Sequence, residues 1–407
     1  MRKFLLLLFA CMSPAGAETV FTFEDTVRIA AQHNADLRNA QANLSAVGQR
    51  ARAAYSGYLP QLSGSLSYTD DTTPNETYSA GVTVSQNLFA GFQDQARVEQ
   101  GAANVESAQS TLTLAKSQLS RDLKLAYAGL LYAQANVALT ENILRRLEEN
   151  LRLVELRFES GRENRGSFLF TRAQVAQARF ENLQARQAVA SAQTQLALAL
   201  GQRVDSLRVI GTAPTTEPVA IGDFAELSRN TPEYRDALAR EKSAAADVRL
   251  ARAGFYPSVN VSGSIGREGE NWYPGAERNT VSASVSIPLY TGGSDLYGTR
   301  AALAALDATR ANRESVEQQA LVRLRQNHAA YVESVERLKV DREFLEAAET
   351  RAGIARARYQ NGLISFEEWD RIENDLIQRQ KFYLASQRDR VTAEAAWELA
   401  QGIGVIP

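Results

Sequence analysis

Two segments of the chain carry the same pattern of alternating apolar and small polar residues. The first covers residues 59–91 and the second covers residues 256–292, and each consists of two alternating runs joined by a turn. A period of two residues is typical of a β-strand with one apolar face. Most of the remaining chain has the period of an α-helix, so the fold must place two β-hairpins in a largely helical protein.

The second hairpin lies in a copy of the first half of the chain. Residues 57–60 read Gly-Tyr-Leu-Pro and residues 254–257 read Gly-Phe-Tyr-Pro, while residues 88–91 read Leu-Phe-Ala-Gly and residues 289–292 read Leu-Tyr-Thr-Gly. After the hairpins the two halves keep a constant offset for more than one hundred residues. Such a constant register indicates an internal duplication.

Long helices follow each hairpin. Between the first hairpin and Gly161 there is no proline, and apolar residues recur in steps of three and four, as at Leu123, Leu130 and Val137. This spacing predicts one α-helix of roughly 65 residues, about 100 Å long at the rise of an α-helix. The predicted helices cover residues 92–160 and 167–200 in the first repeat, and residues 293–360 and 365–400 in the second.

The duplication gives a predicted organisation of the whole chain. Between the repeats lies a stretch with Pro214 and Pro218, which is predicted to be an irregular linker. In order, the chain divides into a signal peptide over residues 1–17, a first repeat over 18–201 with its hairpin at 61–88, the linker over 202–222, a second repeat over 223–402 with its hairpin at 258–289, and a C-terminal tail over 403–407.

The N-terminus has the features of an export signal. Arg2 and Lys3 precede an apolar run over residues 4–10, and residues 15–17 read Ala-Gly-Ala, as at a cleavage site. This order is typical of a secretory signal peptide. The alternative is lipidation at Cys11, the single cysteine. If the signal is cleaved after residue 17, the mature chain has no cysteine and therefore no disulfide or thiolate chemistry.

Composition and motifs exclude several classes of function. The formal net charge of −2 lacks the basic excess that non-specific nucleic-acid binding needs. No glycine-rich phosphate loop or nucleophile motif occurs in the sequence. His33 and His328 lie far apart on helical stretches, whereas a metal site needs clustered ligands. We therefore expect no enzyme activity, no cofactor and no nucleic-acid partner.

The hairpins have the properties of transmembrane β-strands, because each strand has roughly ten residues with one apolar and one small polar face. A bilayer tolerates no unpaired backbone groups, and four strands are too few to close into a barrel. Copies of the chain would therefore share one barrel. Two copies give eight strands with a filled interior, whereas serine-rich inner faces suggest a wet lumen and favour three copies with twelve. The alternative is an ordinary four-stranded sheet half covered by helices.

The whole mature chain resembles the TolC-like outer-membrane efflux protein family. The resemblance rests on the proline motifs at residues 58–60 and 255–257, on the motifs at residues 88–91 and 289–292, and on a glycine at each helical tip. It implies a fold that is mainly α with a transmembrane β portion. The implied assembly is a homotrimer with a twelve-stranded β-barrel in the outer membrane, continued by a twelve-helix α-barrel in the periplasm, with the linker in an equatorial belt.

The same resemblance implies a function and partners. The protein would be a channel-tunnel, the passive exit duct of a tripartite efflux or type I secretion system. A periplasmic adaptor (a membrane fusion protein) would open its tips, an inner-membrane transporter of ABC, RND or MFS type would supply the energy, and outer-membrane lipid would surround the barrel. The alternatives are a non-conducting trimeric coiled-coil protein of the cell surface and a periplasmic helical scaffold.

The second helical tip supplies the candidate periplasmic gate. The resemblance implies an acidic residue six positions after the tip glycine and, in some members, another three later; here these positions hold Glu368 and Arg371. Glu367 and Asp370 complete the candidate gate, and Glu368 is spaced to pair with Arg371. The alternative is an acidic helix start stabilised by the helix dipole.

The two tip turns supply candidate contacts with the adaptor. Arg162 and Arg165 are candidates either for these contacts or for bridges to the carboxylates of the second tip, unless they lie in a solvated turn. Leu363 and Ile364 are expected to be exposed, because a hairpin tip offers no local core. The full set is Gly161, Arg162, Arg165, Gly362, Leu363 and Ile364.

Two aromatic residues lie in the loop of the second hairpin. Trp272 and Tyr273 precede a Pro-Gly pair. They are candidates for the aromatic girdle at the membrane interface, and packing within the loop is the alternative.

Overall fold

The structure is a computed structural model, and it describes residues 19–71, 75–202 and 207–407. The predicted signal peptide over residues 1–17, including Cys11, lies outside the described residues. The chain divides into two compact units, which we call the sheet unit and the tip unit. The sheet unit comprises Asp36–Ala115 and Gly222–Leu324, and the tip unit comprises the described residues of Met1–Ala35, Lys116–Ile221 and Arg325–Pro407.

The described residues form six strands and eight α-helices. The strands are β1 (Thr19–Phe21), β2 (Gln61–Asp71), β3 (Asn75–Ala90), β4 (Leu207–Val209), β5 (Ser258–Gly269) and β6 (Ala276–Ser286). The helices are α1 (Phe23–His33), α2 (Ala35–Ala53), α3 (Gln93–Glu159), α4 (Arg165–Leu200), α5 (Phe224–Asn230), α6 (Pro232–Arg252), α7 (Ser294–Gln360) and α8 (Phe366–Gln401). Helices α3 and α7 contain 67 residues each, and α4 and α8 contain 36 each.

The two hairpins join into one antiparallel sheet in the order β2-β3-β5-β6. The register opposes Leu62 to Val84 in the first hairpin and Val259 to Val285 in the second, and it places the apolar side chains of all four strands on one face. On the other face, serine hydroxyls form hydrogen bonds between neighbouring strands. For example, Ser67 Oγ lies 2.7 Å from Ser79 Oγ. The alternation in the sequence therefore describes a single two-faced sheet.

The strand ends differ slightly from the predicted ones. In the first hairpin β2 runs to Asp71, and β3 runs from Asn75 to Ala90, two residues beyond the predicted end at residue 88. In the second hairpin β6 ends at Ser286, before the predicted end at residue 289. Pro288 follows and has no backbone N–H to donate to a sheet ladder, which accounts for the early end.

The helix ends follow from local capping chemistry. Asn164 begins α4 because its side chain accepts a hydrogen bond from the Ser167 backbone N–H at 2.9 Å. Ser365 begins α8 in the same way, with a hydrogen bond from the Glu368 N–H at 3.2 Å. Gly201 ends α4 in the left-handed conformation, and a Cβ there would lie 2.5 Å from a backbone oxygen.

The tip unit buries two apolar clusters along its long helices. The cluster at the helical tip contains Val154 of α3, Tyr359 of α7 and Phe366 and Trp369 of α8. Further along, Ile143 of α3 and residues of α4 and α8 form a second cluster. None of the described helices is both long enough and apolar enough to span a membrane.

The linker contains more regular structure than the sequence predicts. Its strand β4 pairs in parallel with β1. Gln134 of α3 both donates to and accepts from Val209 of this strand, at 3.1 and 3.2 Å, and Gln193 of α4 donates to the Leu207 carbonyl at 2.7 Å. A three-residue strand carries too little periodicity to be recognised in a sequence.

Candidate functional site

One tyrosine connects the two helical tips. The Tyr359 hydroxyl donates a hydrogen bond to Glu163 Oε2 at 2.8 Å, and Arg157 donates to the Tyr359 carbonyl at 2.8 Å. The Arg157 guanidinium also lies 4.6 Å from the centre of the tyrosine ring. The Trp369 ring stacks on the tyrosine, with centroids 4.3 Å apart. We call Arg157, Glu163, Tyr359 and Trp369 the tip network.

The Tyr359 hydroxyl keeps its proton at neutral pH. Burial, reinforced by the hydrogen bond to the Glu163 carboxylate, raises the pKa of the Tyr359 hydroxyl well above its usual value. The hydroxyl therefore remains a donor to Glu163. Neither Glu163 nor Tyr359 was among the predicted site residues. One signal was present in the sequence, because Tyr359 stands where the first repeat has Phe158 and so adds a hydroxyl at an apolar position.

Of the four candidate gate residues, Asp370 is the one whose side chain forms a hydrogen bond with the other hairpin within the described part of the chain. Its carboxylate accepts hydrogen bonds from Gln174 of α4 at 2.7 Å and from Asn374 at 3.0 Å. Burial raises the pKa of Asp370. Glu367, Glu368 and Arg371 are exposed. Among the described residues Glu368 and Arg371 form no ion pair, so the predicted pairing is wrong.

The predicted adaptor contacts divide into exposed and packed residues. Arg162 and Arg165 are exposed, and neither bridges to a carboxylate of the second tip within the described structure. Leu363 is 71% exposed, as expected. Ile364 instead packs against the tip cluster. The expectation that both would be exposed was wrong, because Phe366 and Trp369 give the tip a local core of its own.

A buried carboxylate lies further along the same helices. Glu373 of α8 is 3.4 Å from Arg146 of α3 and 4.0 Å from Arg356 of α7. Burial lowers the pKa of the Arg146 guanidinium, and the Glu373 carboxylate opposes this shift. Two arginines thus share one buried acid between three helices.

A second buried ion cluster fastens the linker to the helices. Lys124 Nζ of α3 lies 2.7 Å from Glu398 and 3.6 Å from Glu394, both on α8, and the side chains of Lys124 and Glu394 are 3% and 2% exposed. Glu394 accepts hydrogen bonds from the Thr216 backbone N–H at 3.1 Å and from its hydroxyl at 3.1 Å. We call Lys124, Thr216, Glu394 and Glu398 the linker clasp.

The linker clasp holds an excess of negative charge. Two carboxylates share the Lys124 ammonium, and Glu398 Oε2 is buried with no hydrogen-bond partner within the described structure. Burial raises the pKa of Glu394, while Lys124 and Thr216 lower it in part. The Tyr331 hydroxyl of α7 donates to the Thr216 carbonyl, so the clasp joins the linker to three long helices.

The loop aromatics of the second hairpin remain exposed. Trp272 is 85% exposed, and its ring contacts Tyr78 edge-on with centroids 5.9 Å apart. Tyr273 is 79% exposed. Trp272 thus packs on a strand with one edge and presents the rest of its surface outward.

The histidines do not belong to a ligand cluster. His33 Nδ1 lies 3.2 Å from the carbonyl of its own helix at Ile29, and His328 Nε2 lies 3.2 Å from the Val219 carbonyl. Within the described part of the chain, no group of three His, Cys, Asp or Glu residues is placed to hold a metal ion.

Comparison with known sequences finds one family over most of the chain. A family model described as outer membrane efflux protein matches residues 26–202 and 225–403. The two matches correspond to the two repeats. Among individual proteins, the solvent efflux pump outer membrane protein SrpC of Pseudomonas putida is 23% identical over 403 residues, which cover 92% of this chain and 84% of that protein.

Comparison with solved structures finds the same fold. The chain matches a crystal structure of CusC with a TM-score of 0.85 and 19% identity, over 94% of this chain and 92% of that one. It matches the outer membrane protein VceC of Vibrio cholerae with a TM-score of 0.81 and 22% identity, over 95% and 97%. Both structures share the arrangement of long helices and paired hairpins.

Proposed function

The chain belongs to the outer membrane efflux protein family, and on this premise we propose that three copies form one passive exit duct. The protein is an outer-membrane channel of efflux or secretion systems and not an enzyme. It works as one component of such a system. In the proposed assembly, the sheets of three copies form a twelve-stranded barrel, and the long helices continue it as a tunnel.

The open edges of the sheet carry this proposal. In the described residues β2 and β6 each pair with one neighbour, so a row of backbone groups on each is left without a strand partner. Unpaired backbone groups are costly in a bilayer, and the apolar face is exposed, with Leu66 and Val281 each 86% exposed. Pairing β2 of one copy with β6 of the next removes both edges, and three copies close the ring.

The tips form the proposed gate. Several contacts join the two helical hairpins, and we take two of those near the tip turns as the gate contacts: Tyr359 with Glu163, and Asp370 with Gln174. Movement of one hairpin away from the other breaks both. The exposed charges of Glu367, Glu368 and Arg371 lie at the same end of the helices. In a threefold assembly each of these residues occurs three times, and such rings of charge influence which ions enter.

The exposed part of each turn is the proposed docking site of a periplasmic adaptor. Leu363 is the apolar anchor, and Arg162 and Arg165 supply charge beside the turn glycines Gly161 and Gly362. Since no nucleotide-binding motif occurs in the sequence, the energy would come from an inner-membrane transporter of ABC, RND or MFS type. Trp272 and Tyr273 are proposed to contact the lipid headgroups of the outer membrane.

We expect the purified protein to form channels in planar lipid bilayers. The double variant Glu163→Gln with Asp370→Asn weakens both gate contacts, so its channels should be open for a larger fraction of the time than those of the unchanged protein. Single-channel recording measures this fraction, and native mass spectrometry in mild detergent measures the assembly. Absence of conductance in both proteins, together with a monomeric mass, would contradict the proposed duct.

Removing one hydroxyl tests the tip network alone. The variant Tyr359→Phe keeps the ring stack but loses the hydrogen bond to Glu163, which corresponds to about 1 kcal/mol. We therefore expect the ratio of open to closed states to rise about fivefold for the tip of each copy. Tyr383→Phe is the matched control, since among the described residues the Tyr383 hydroxyl has no hydrogen-bond partner. Equal changes in both variants would show that the Tyr359 bond does not hold the tip closed.

A further inference from the structure

The polar face of the sheet carries no charge over the part nearest the helices. On this face the hydroxyls of Ser262 and Ser282 lie 2.8 Å apart across β5 and β6. From the helix-side ends of the described strands to the level of Thr280, the residues on this face are mostly serine, and none of them is charged. In the proposed barrel this face surrounds the lumen, so the lumen wall is neutral there.

Two opposite charges stand on the same face closer to the hairpin loops. Arg278 of β6 lies two residues from Thr280 towards the loop, and its guanidinium is 2.5 Å from Glu268 Oε2 of β5. The two side chains are 69% and 39% exposed. An ion pair that is solvated to this extent contributes little to stability. Its main physical effect is therefore on the electric field at the loop end of the sheet.

A second ion pair joins the same two strands with the opposite polarity and on the opposite face. Arg267 of β5 is directly opposed to Glu277 of β6, and the two side chains are 3.6 Å apart. Because side chains alternate between faces, this pair lies on the apolar face together with Ile265 and Val281. These four charged residues therefore give each face of the sheet one acid and one base.

A threefold assembly would repeat the polar-face pair three times around the lumen. Three unpaired Glu268 carboxylates would form a ring that attracts cations and repels anions. With the Arg278 guanidinium beside each carboxylate, the two opposite fields largely cancel a short distance away, because equal and opposite charges act on a distant ion with nearly equal strength. The pair therefore decides whether this ring is charged or balanced.

We propose that Arg278 keeps the outer mouth of the duct electrically balanced by neutralising Glu268, so that the barrel releases cargo of either charge. The outer mouth is the loop end of the barrel, which lies farthest from the periplasmic helices. The inference rests on the proposed trimer, in which the polar face of the sheet is turned towards the lumen. Arg278 is then a specificity-determining residue, because its loss would make the mouth favour cations.

A thiol placed beside the pair reports the local charge. The variant Thr280→Cys puts it on the polar face of β6, about 7 Å along the strand from Arg278. The single natural cysteine, Cys11, lies in the predicted signal peptide. With the protein in lipid nanodiscs, the thiol reacts with a cationic or an anionic methanethiosulfonate reagent, and the ratio of the two rates is compared with that of a small uncharged thiol. Both ends of the duct are accessible in a nanodisc, so the tips need not open.

With the pair intact, we expect a rate ratio close to that of the small thiol. Adding Arg278→Gln should raise the ratio of cationic to anionic rates about threefold at low ionic strength, where screening is weak. Adding Glu268→Gln should lower the ratio by a similar factor, and both changes together should restore it. Glu277→Gln is the matched control, since it removes an acid from the same two strands on the other face and should leave the ratio nearly unchanged.

An unchanged ratio in Arg278→Gln, or equal shifts in Glu277→Gln and Glu268→Gln, would overturn the proposed balance. A strongly biased ratio with the pair intact would overturn it as well. The variant Val281→Cys tests the duct separately, because this neighbouring position faces lipid in the proposed barrel and should react slowly with both reagents. Slow reaction there, combined with any of these results, leaves the duct standing. Fast reaction of Val281→Cys together with a monomeric mass rejects the duct itself.

Discussion

The variant Lys124→Met is expected to lose about 3–5 kcal/mol of the free energy of unfolding. Lys124 is the ammonium shared by Glu394 and Glu398, and its removal leaves two carboxylates in a site that is almost closed to water. The loss should appear as a lower midpoint in chemical denaturation, with the detachment of the linker visible as faster hydrogen exchange at Thr216. Restoring neutrality with Glu394→Gln and Glu398→Gln in the same variant should recover much of the stability.

The loss caused by Lys124→Met depends on pH in a defined direction. Burial raises the pKa of Glu394 in the folded protein, and removal of Lys124 takes away an interaction that lowers it. A folded pKa above the unfolded one means that the folded state binds the proton more tightly, so stability is lost as the pH rises from the unfolded pKa to the folded one. The difference between the variant and the unchanged protein should therefore shrink in acid.

A surface lysine provides the control for this variant. Lys242 pairs with Glu106 at 2.5 Å, but both side chains are half exposed. Water solvates either partner after the other is removed, so Lys242→Met should change the free energy of unfolding by less than about 1 kcal/mol. If Lys124→Met were as mild, the clasp would not hold the linker in place.

The variant Trp369→Ala is expected to lower the free energy of unfolding by about 3–5 kcal/mol and to loosen the packing of the helical tip. Trp369 is almost completely buried, stacks on Tyr359 and touches Phe366 in the tip cluster. Its removal leaves a cavity between α7 and α8 and frees the Tyr359 ring, whose hydroxyl donates to Glu163. We expect faster hydrogen exchange at the ends of α7 and α8 and a larger open fraction in single-channel recordings.

Two further tryptophan variants separate packing from hydrogen bonding. The Trp369 indole N–H is buried and has no acceptor in the described residues, so Trp369→Phe keeps an aromatic stack and loses no hydrogen bond. The loss in the free energy of unfolding should be clearly smaller for Trp369→Phe than for Trp369→Ala. Trp272→Ala removes an exposed tryptophan and should change stability by about 0.5 kcal/mol or less. Similar effects of Trp369→Ala and Trp272→Ala would contradict a packed tip.

The long helices and the sheet could be predicted because their signals are local and repeated. Apolar residues spaced three and four apart predicted the ends of the long helices to within a few residues. The glycines at positions 161 and 362 marked the turns between them. Strict alternation of apolar and small polar residues predicted the strands and which of their faces is apolar. The membership in the outer membrane efflux protein family was also recognisable from motifs. This membership decides against a non-conducting coiled-coil protein of the cell surface and against a periplasmic helical scaffold.

The contacts at the tip could not be predicted in this way. The candidate gate predicted from the sequence was Glu367, Glu368, Asp370 and Arg371. It included Asp370 but neither its partner Gln174 nor the bond between Glu163 and Tyr359. These partners are 196 residues apart in both cases. The rotation of each helix about its axis decides which side chains meet, and a periodic pattern fixes that rotation only coarsely.

The sequence by itself determined the duplicated architecture, the length of the helices, the two-faced strands and the family, since each follows from short-range periodicity or from a repeated motif. Only the tertiary structure decided that the hairpins merge into one sheet with two open edges, that Ile364 is packed while Leu363 is exposed, and that Lys124 serves two acids beside Thr216. The physical reason is that burial and charge pairing depend on distances between segments far apart in the chain, which local chemistry does not specify.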